Sequence, residues 1–183
     1  MRNSVVFALA ALALAPRYAR CDVADSSSAG FTVKITLNIH AAPADVYRSL
    51  IHVGDWWNSQ HTYSGSARNL SIEEKPMGCF CEKLPAGGGV RHMEVVHVVP
   101  GKVLGMTGAL GPLQTIAATG NMAIRLSPAE GGTKLELVYA VTGYLPAGMN
   151  TWAAPVDSML TEQFTRLKNF IEHGDPAANP TDK

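Results

Sequence analysis

Two short patterns hold the side chains able to move a proton. In the run from Val90 to Val99, alternation places His92 and Glu94 on one face with Val90, Val96 and Val98, and Arg91, Met93, Val95 and His97 on the other. An imidazole and a carboxylate confined among valines need partners or displaced pKa values. If that face points inward, His92 and Glu94 are therefore the candidates for general acid and base work. Both faces carry apolar residues, so alternation leaves the inward one open, and a histidine merely satisfied by its neighbours is the competing reading. In the run from Trp56 to Gly65, the adjacent indoles of Trp56 and Trp57 can wall one end of a cavity or fill core. His61 and Tyr63, beside Ser64 and Gly65, can donate to a ligand carbonyl or pin their own loop.

Other chemistries find little support. His61 and His92 with Glu82, Glu94 or Cys81 could be gathered round a metal, but none of these spacings is a metal signature, and no metal is expected. Gly87-Gly88-Gly89 precedes a strand and not a helix, so it is a hairpin turn and not a phosphate cradle. There is no dinucleotide fingerprint and no nucleophile beside an evident base, so neither a cofactor nor covalent catalysis is expected. Cys79 and Cys81 stand two apart in a strand, where a bond would close a small ring. Two thiols packed as small apolar groups are expected, without a framework disulfide.

The elements that must position these residues follow from periodicity. Phe31, Val33, Ile35, Leu37 and Ile39 alternate with Thr, Lys and Asn, which is the pattern of a half-buried antiparallel strand. Pro43 suits a first helical turn, Val46, Tyr47 and Leu50 recur at helical spacing, and Gly54 breaks the path before Trp56. Further strands are expected at 69–74, 79–84, 90–99, 102–107, 119–126 and 133–142, separated by Gly- and Pro-containing turns, which argues for an antiparallel meander. The apolar, glycine-rich run from Leu104 to Leu113, with Leu110 in it, is read as a lid over a cavity mouth. Leu135, Leu137, Tyr139 and Val141 would supply wall, with Tyr139 its hydrogen-bonding member. A last amphipathic helix over 150–172 carries Trp152, Val156, Met159, Leu160, Phe164, Leu167, Phe170 and Ile171 on one stripe, with Gly174 as its C-terminal cap.

At the amino end, Arg2 precedes an apolar run from Ser4 to Ala15 that Pro16-Arg17 stops short of a membrane span, the pattern of a secretory signal. Cleavage after Ala15 or after Ala29 fits the small-residue rule, and residues 26–28 read as a spacer. The division expected is 1–29 signal and spacer, 30–174 one domain and 175–183 a loose tail, in a periplasmic or secreted protein with no stable membrane span in its mature form. Lys plus Arg and Asp plus Glu are equal at 15 each, which removes the electrostatic footprint of a nucleic-acid binder.

The segments Ile39 to Trp57, His61 to Gly65, Gly78 to Glu82, Gly89 to His92, and Val156-Asp157 through Arg166-Leu167 together resemble a bacterial branch of the SRPBCC, or START-like (Bet v 1-like), superfamily. That branch includes polyketide cyclase/dehydrase-like proteins and relatives of the Hsp90-ATPase activator domain. The resemblance implies an α+β helix-grip fold. It has a seven-stranded curved antiparallel sheet, two short helices after the first strand and a long C-terminal helix, with a cavity between sheet and helix. The ligand-binding candidates are then Trp56, Trp57, His61, Tyr63, His92, Leu110, Tyr139 and Trp152, and the expected partner is a small hydrophobic or amphipathic molecule. A carrier of such a molecule is the favoured reading. A cyclase- or dehydratase-type enzyme using His92, Glu94, His61 or Tyr63 is the alternative, and a co-chaperone-like interaction module a further one. Oligomeric state is left open.

Overall fold

The computed structural model describes residues 20–178. The expected signal, from Arg2 to Ala15, and the last residues of the tail lie outside them. The described chain forms β1 (Arg20–Ser27), β2 (Gly30–Ile39), α1 (Pro43–Ile51), β3 (Leu70–Ile72), β4 (Cys79–Lys83), β5 (Gly89–Val99), β6 (Val103–Thr107), β7 (Ala117–Ala129), β8 (Gly132–Tyr144) and α2 (Ala153–His173). All neighbouring strands are antiparallel in one sheet of order β1-β2-β8-β7-β6-β5-β4-β3. The architecture is thus α+β, a large curved antiparallel sheet with a long C-terminal helix across it, which is compatible with a helix grip.

Two details differ from the sequence expectation. The sheet has eight strands and not seven, because residues 20–27, read as leader and spacer, pair with β2. A polar sequence can do this at a sheet edge, where main-chain hydrogen bonds need no apolar side chains. The second short helix is replaced by 3₁₀ turns at Val53–Asp55, Ser59–His61 and Ala67–Asn69. Glycine and polar residues there give no regular apolar stripe to support a full helix.

The core lies between the concave face and α2. Phe31, Val33, Ile35, Leu37 and Ile39 are buried as their alternation predicts, opposite Leu135, Leu137, Tyr139 and Val141 of β8. α2 rests on β2 and β1 and touches α1, burying Val156, Leu160, Phe164 and Leu167. Pro155 falls in its first turn, where a missing N–H does no harm, and Gly174 ends it at φ 75° with its N–H donating to the Phe170 carbonyl at 2.9 Å.

Candidate functional site

Toward the β3 end of the sheet, a cavity of about 200 Å³ opens between β4, β5, the loop before β3, the segment after β6 and α2. Its apolar wall is Trp57, Leu70, Phe80, Leu110, Pro112 and Met159, and its polar side is Gln60, His61, Thr62, Tyr63 and His92.

His92 reaches this cavity through a defect in pairing. Phe80 of β4 faces Met93, but the next residue, Cys81, faces Arg91, so His92 is the extra residue of a β-bulge. A bulge breaks alternation and re-aims side chains, and here His92 and Met93, though adjacent, are both buried. A second irregularity near Val96 leaves that valine half exposed. The sequence expectation for Glu94 is therefore corrected. It does not share a buried face with His92 but sits at the surface, accepting from Arg91 Nη1 at 2.9 Å.

The carboxylate that does meet His92 is Glu82. Alternation in β4 puts Phe80 and Glu82 inward together, and Glu82 is 1 % exposed. Its Oε2 lies 3.0 Å from His92 Nε2, and its Oε1 accepts from the Ser64 N–H. Burial by itself would raise the Glu82 pKa, but hydrogen bonds from Ser64, from the Tyr63 backbone and from His92 outweigh it and hold the carboxyl below its usual range. Burial dominates at His92 and lowers its pKa despite the neighbouring carboxylate, so the ring is neutral at neutral pH. His92 Nδ1 is buried with no hydrogen-bond partner. The Tyr63 ring stacks parallel to the imidazole at 5.9 Å and Phe80 tilts against it at 5.2 Å.

The rest of the cavity is held by specific main-chain contacts. Trp57 Nε1 donates to the His61 carbonyl at 3.0 Å, closing the loop on itself. Gln163, fully buried on α2, accepts the Asn58 N–H at 2.8 Å, and Glu162 takes the Asn58 amide and His61 Nε2, the latter at 3.1 Å. His61 therefore faces α2 across the mouth. On the opposite rim, Tyr139 Oη accepts the Leu110 N–H at 3.0 Å and donates to the Gly108 carbonyl at 3.2 Å. This anchors the backbone from Gly108 to Leu110, and burial pushes the phenol up to about 12.

Of the residues singled out from sequence, Trp57, His61, Tyr63, His92 and Leu110 are brought together round the cavity. Tyr139 is not in the lining and instead holds the Gly108 and Leu110 backbone. Trp56 is core, packed on Phe164 at 5.7 Å with its Nε1 donating to the Ser49 carbonyl at 2.9 Å. Trp152 packs at the head of α2, away from the cavity lining. Glu82, Phe80, Leu70 and Met159 were not among the predicted ligand contacts. The signal for Glu82 was present, a single acid on the apolar parity of β4. Cys79 and Cys81 are also corrected, because they form a disulfide, with Cα atoms 5.3 Å apart opposite the bulge on β5. Among the described residues, no group of three or more His, Cys, Asp or Glu side chains is placed to hold a metal.

No protein-family profile matches this sequence, and no curated protein matches it significantly. Solved structures do match. CalU16 from Micromonospora echinospora is 15% identical with a TM-score of 0.59, over 90% of this chain and 88% of that one. An uncharacterised protein from Rhizobium leguminosarum is 16% identical with a TM-score of 0.58, over 85% of this chain and 99% of that one. The Aha1 dimer from Colwellia psychrerythraea is 16% identical with a TM-score of 0.56, over 78% of this chain and 97% of that one. At such identities the likeness is one of fold: this chain shares with these proteins a fold compatible with a helix grip, a curved antiparallel sheet and a long C-terminal helix.

Proposed function

We propose that this protein binds a small hydrophobic or amphipathic molecule in the cavity between β4, β5 and α2. The observation that carries the reading is the wall itself, an apolar surface of Trp57, Leu70, Phe80, Leu110, Pro112 and Met159 facing a polar side that includes a buried histidine whose Nδ1 has no partner. Pockets that hold small ligands combine these two features, an apolar surround for affinity and a few fixed polar groups for orientation. A cavity near 200 Å³ is well below the volume usual for drug-sized ligands and somewhat above one that accepts benzene, so the molecule has one or two rings or a short chain. Consistent with the apolar run at Ser4 to Ala15, we place the protein in the periplasm or outside the cell as a carrier or sequestering protein. Within the SRPBCC group, the sequence resemblance favours the branch of polyketide cyclase/dehydrase-like and Hsp90-activator-like proteins. Native mass spectrometry of the protein recovered from its own host, before and after organic extraction, tests the carrier reading. A reproducible adduct lost on extraction is expected, and an unliganded protein in every preparation contradicts it.

The His92–Glu82 pair favours a second reading, a proton-transfer enzyme of cyclase or dehydratase type. A neutral imidazole backed by a fixed carboxylate is the arrangement of a general base, and His92 takes that role with Glu82 as its positioning residue. Turnover of a bound molecule by the wild type and its loss in a folded His92→Gln variant is the expected signature. Unchanged turnover in that variant contradicts the reading.

A further inference from the structure

We propose that the cavity selects ligands by a hydrogen-bond donor, a hydroxyl or N–H on an otherwise apolar molecule, which the unpaired Nδ1 of His92 accepts, and that Glu82 and Ser64 fix this polarity. The inference rests on the binding reading above and adds to it the chemical class of the ligand.

The polarity follows from a chain of hydrogen bonds whose direction is set at its far end. The Ser64 N–H is a backbone group and can only donate, and it donates to Glu82 Oε1. An ionised carboxylate only accepts, so Oε2 must receive its hydrogen from His92 Nε2 at 3.0 Å. A neutral imidazole carries a single N–H. With that hydrogen at Nε2, Nδ1 presents a lone pair and nothing else. This atom is buried and unpaired in a side chain that is 5 % exposed and that lines the cavity. Leaving a buried acceptor unmatched is unfavourable, so a ligand that brings a donor to it recovers an interaction that an ether or a ketone does not. Tyr63, half exposed, stacks on the face of the imidazole and leaves the in-plane direction of the Nδ1 lone pair as the route of the donor.

Removing the charge of Glu82 while keeping its shape reverses the chain. In Glu82→Gln the Ser64 N–H still demands an acceptor and takes the amide oxygen, which turns the amide NH₂ toward His92. Nε2 must then accept, the ring hydrogen moves to Nδ1, and the cavity presents a donor. The preferred ligand becomes a carbonyl.

The test is calorimetric titration of the full protein at neutral pH with toluene, phenol, anisole and benzaldehyde as probes, repeated with Glu82→Gln. Anisole is more apolar than phenol, so a pocket that reads apolarity alone binds anisole more tightly. We expect phenol to bind wild type at least about fivefold more tightly than anisole, the ratio of one net hydrogen bond. In Glu82→Gln the order of phenol and benzaldehyde inverts. Anisole binding as tightly as phenol or more tightly overturns the donor rule while leaving the cavity as a binding site. An unchanged phenol preference in folded Glu82→Gln overturns the role of Glu82 in setting it. Failure of all four probes to bind overturns both the rule and the binding reading beneath it. The ¹⁵N shifts of His92 give an independent check, with a pyridine-type Nδ1 in wild type and a pyridine-type Nε2 in the variant.

Discussion

At the scale of single residues, the buried pair makes stability depend on pH in a definite direction. His92 and Glu82 both have native pKa values below their ordinary ones of 6.5 and 4.5. The unfolded chain therefore takes up protons before the native one does as pH falls, and stability is lost on the acid side. Denaturant titrations of wild type are expected to show a decline starting between about pH 7 and 5, from His92, and continuing below about pH 4.5 as Glu82 protonates. His92→Gln should flatten the upper limb, and a wild type equally stable at pH 7 and pH 5 contradicts the assignment. Glu82→Leu leaves the Ser64 N–H and His92 Nε2 without their acceptor and is expected to destabilise by about 1–3 kcal/mol, more than Glu82→Gln, by the same titrations. Half of this pair was legible in the sequence. His92 stands out as a polar residue in an apolar run, but alternation, which assumes an unbroken ladder, places Glu94 on its face and says nothing of Glu82. The bulge that turns His92 inward is a property of the pairing with β4 and is not visible in β5 alone.

Among the elements, the loop carrying Trp57, His61 and Tyr63 owes its position to α2. Gln163→Leu keeps the volume but removes the acceptor of the Asn58 N–H, and an unpaired buried donor costs about 1–3 kcal/mol. Beyond that loss, measured by denaturant midpoint, amide exchange across residues 57–63 should accelerate relative to β2. Tyr139→Phe acts on the other rim, where the Oη holds both Leu110 and Gly108. It is expected to cost about 1–2 kcal/mol and to speed exchange of the Leu110 amide selectively. Gly120 belongs to the same anchor, since a Cβ there would lie 2.7 Å from the Tyr139 ring. β1 bears on processing. Thr142 Oγ1 and the Gly143 N–H donate to the Ala29 carbonyl, and the Met149 N–H to that of Ser28. Cleavage after Ala29 would strip a paired strand and these acceptors from the sheet, so if the proposed export holds, amino-terminal sequencing should find a start upstream of Arg20, as cleavage after Ala15 gives, and a start at Gly30 would contradict this. The seven strands after β1 were legible from the sequence through apolar runs bounded by turn signals. β1 was not, because an edge strand paired through its backbone carries little apolar signal.

For the whole molecule, the arrangement of elements explains why one end of the sheet is open. Phe31 to Ile39 and the inward residues of β8 meet the apolar stripe of α2 and close the core tightly there. At the β3–β5 end, β3 and β4 are short, a bulge in β5 turns His92 inward, and 3₁₀ turns and loops stand where a second helix is expected, and the gap between sheet and helix there is the cavity. The helix-grip outline could be read from the order of strands and the final amphipathic helix. The cavity's size and polarity could not, since both depend on register and on side chains far apart in sequence. The most direct measurement is a ¹³C-methyl NMR titration of the methionines with toluene. Met159 lines the cavity, while Met77 is 84 % exposed, does not line it, and serves as the control. A saturable shift of the Met159 methyl with Met77 unmoved is the expected result, and no saturable shift at Met159, or one shared equally by Met77, would contradict a ligand site at this position.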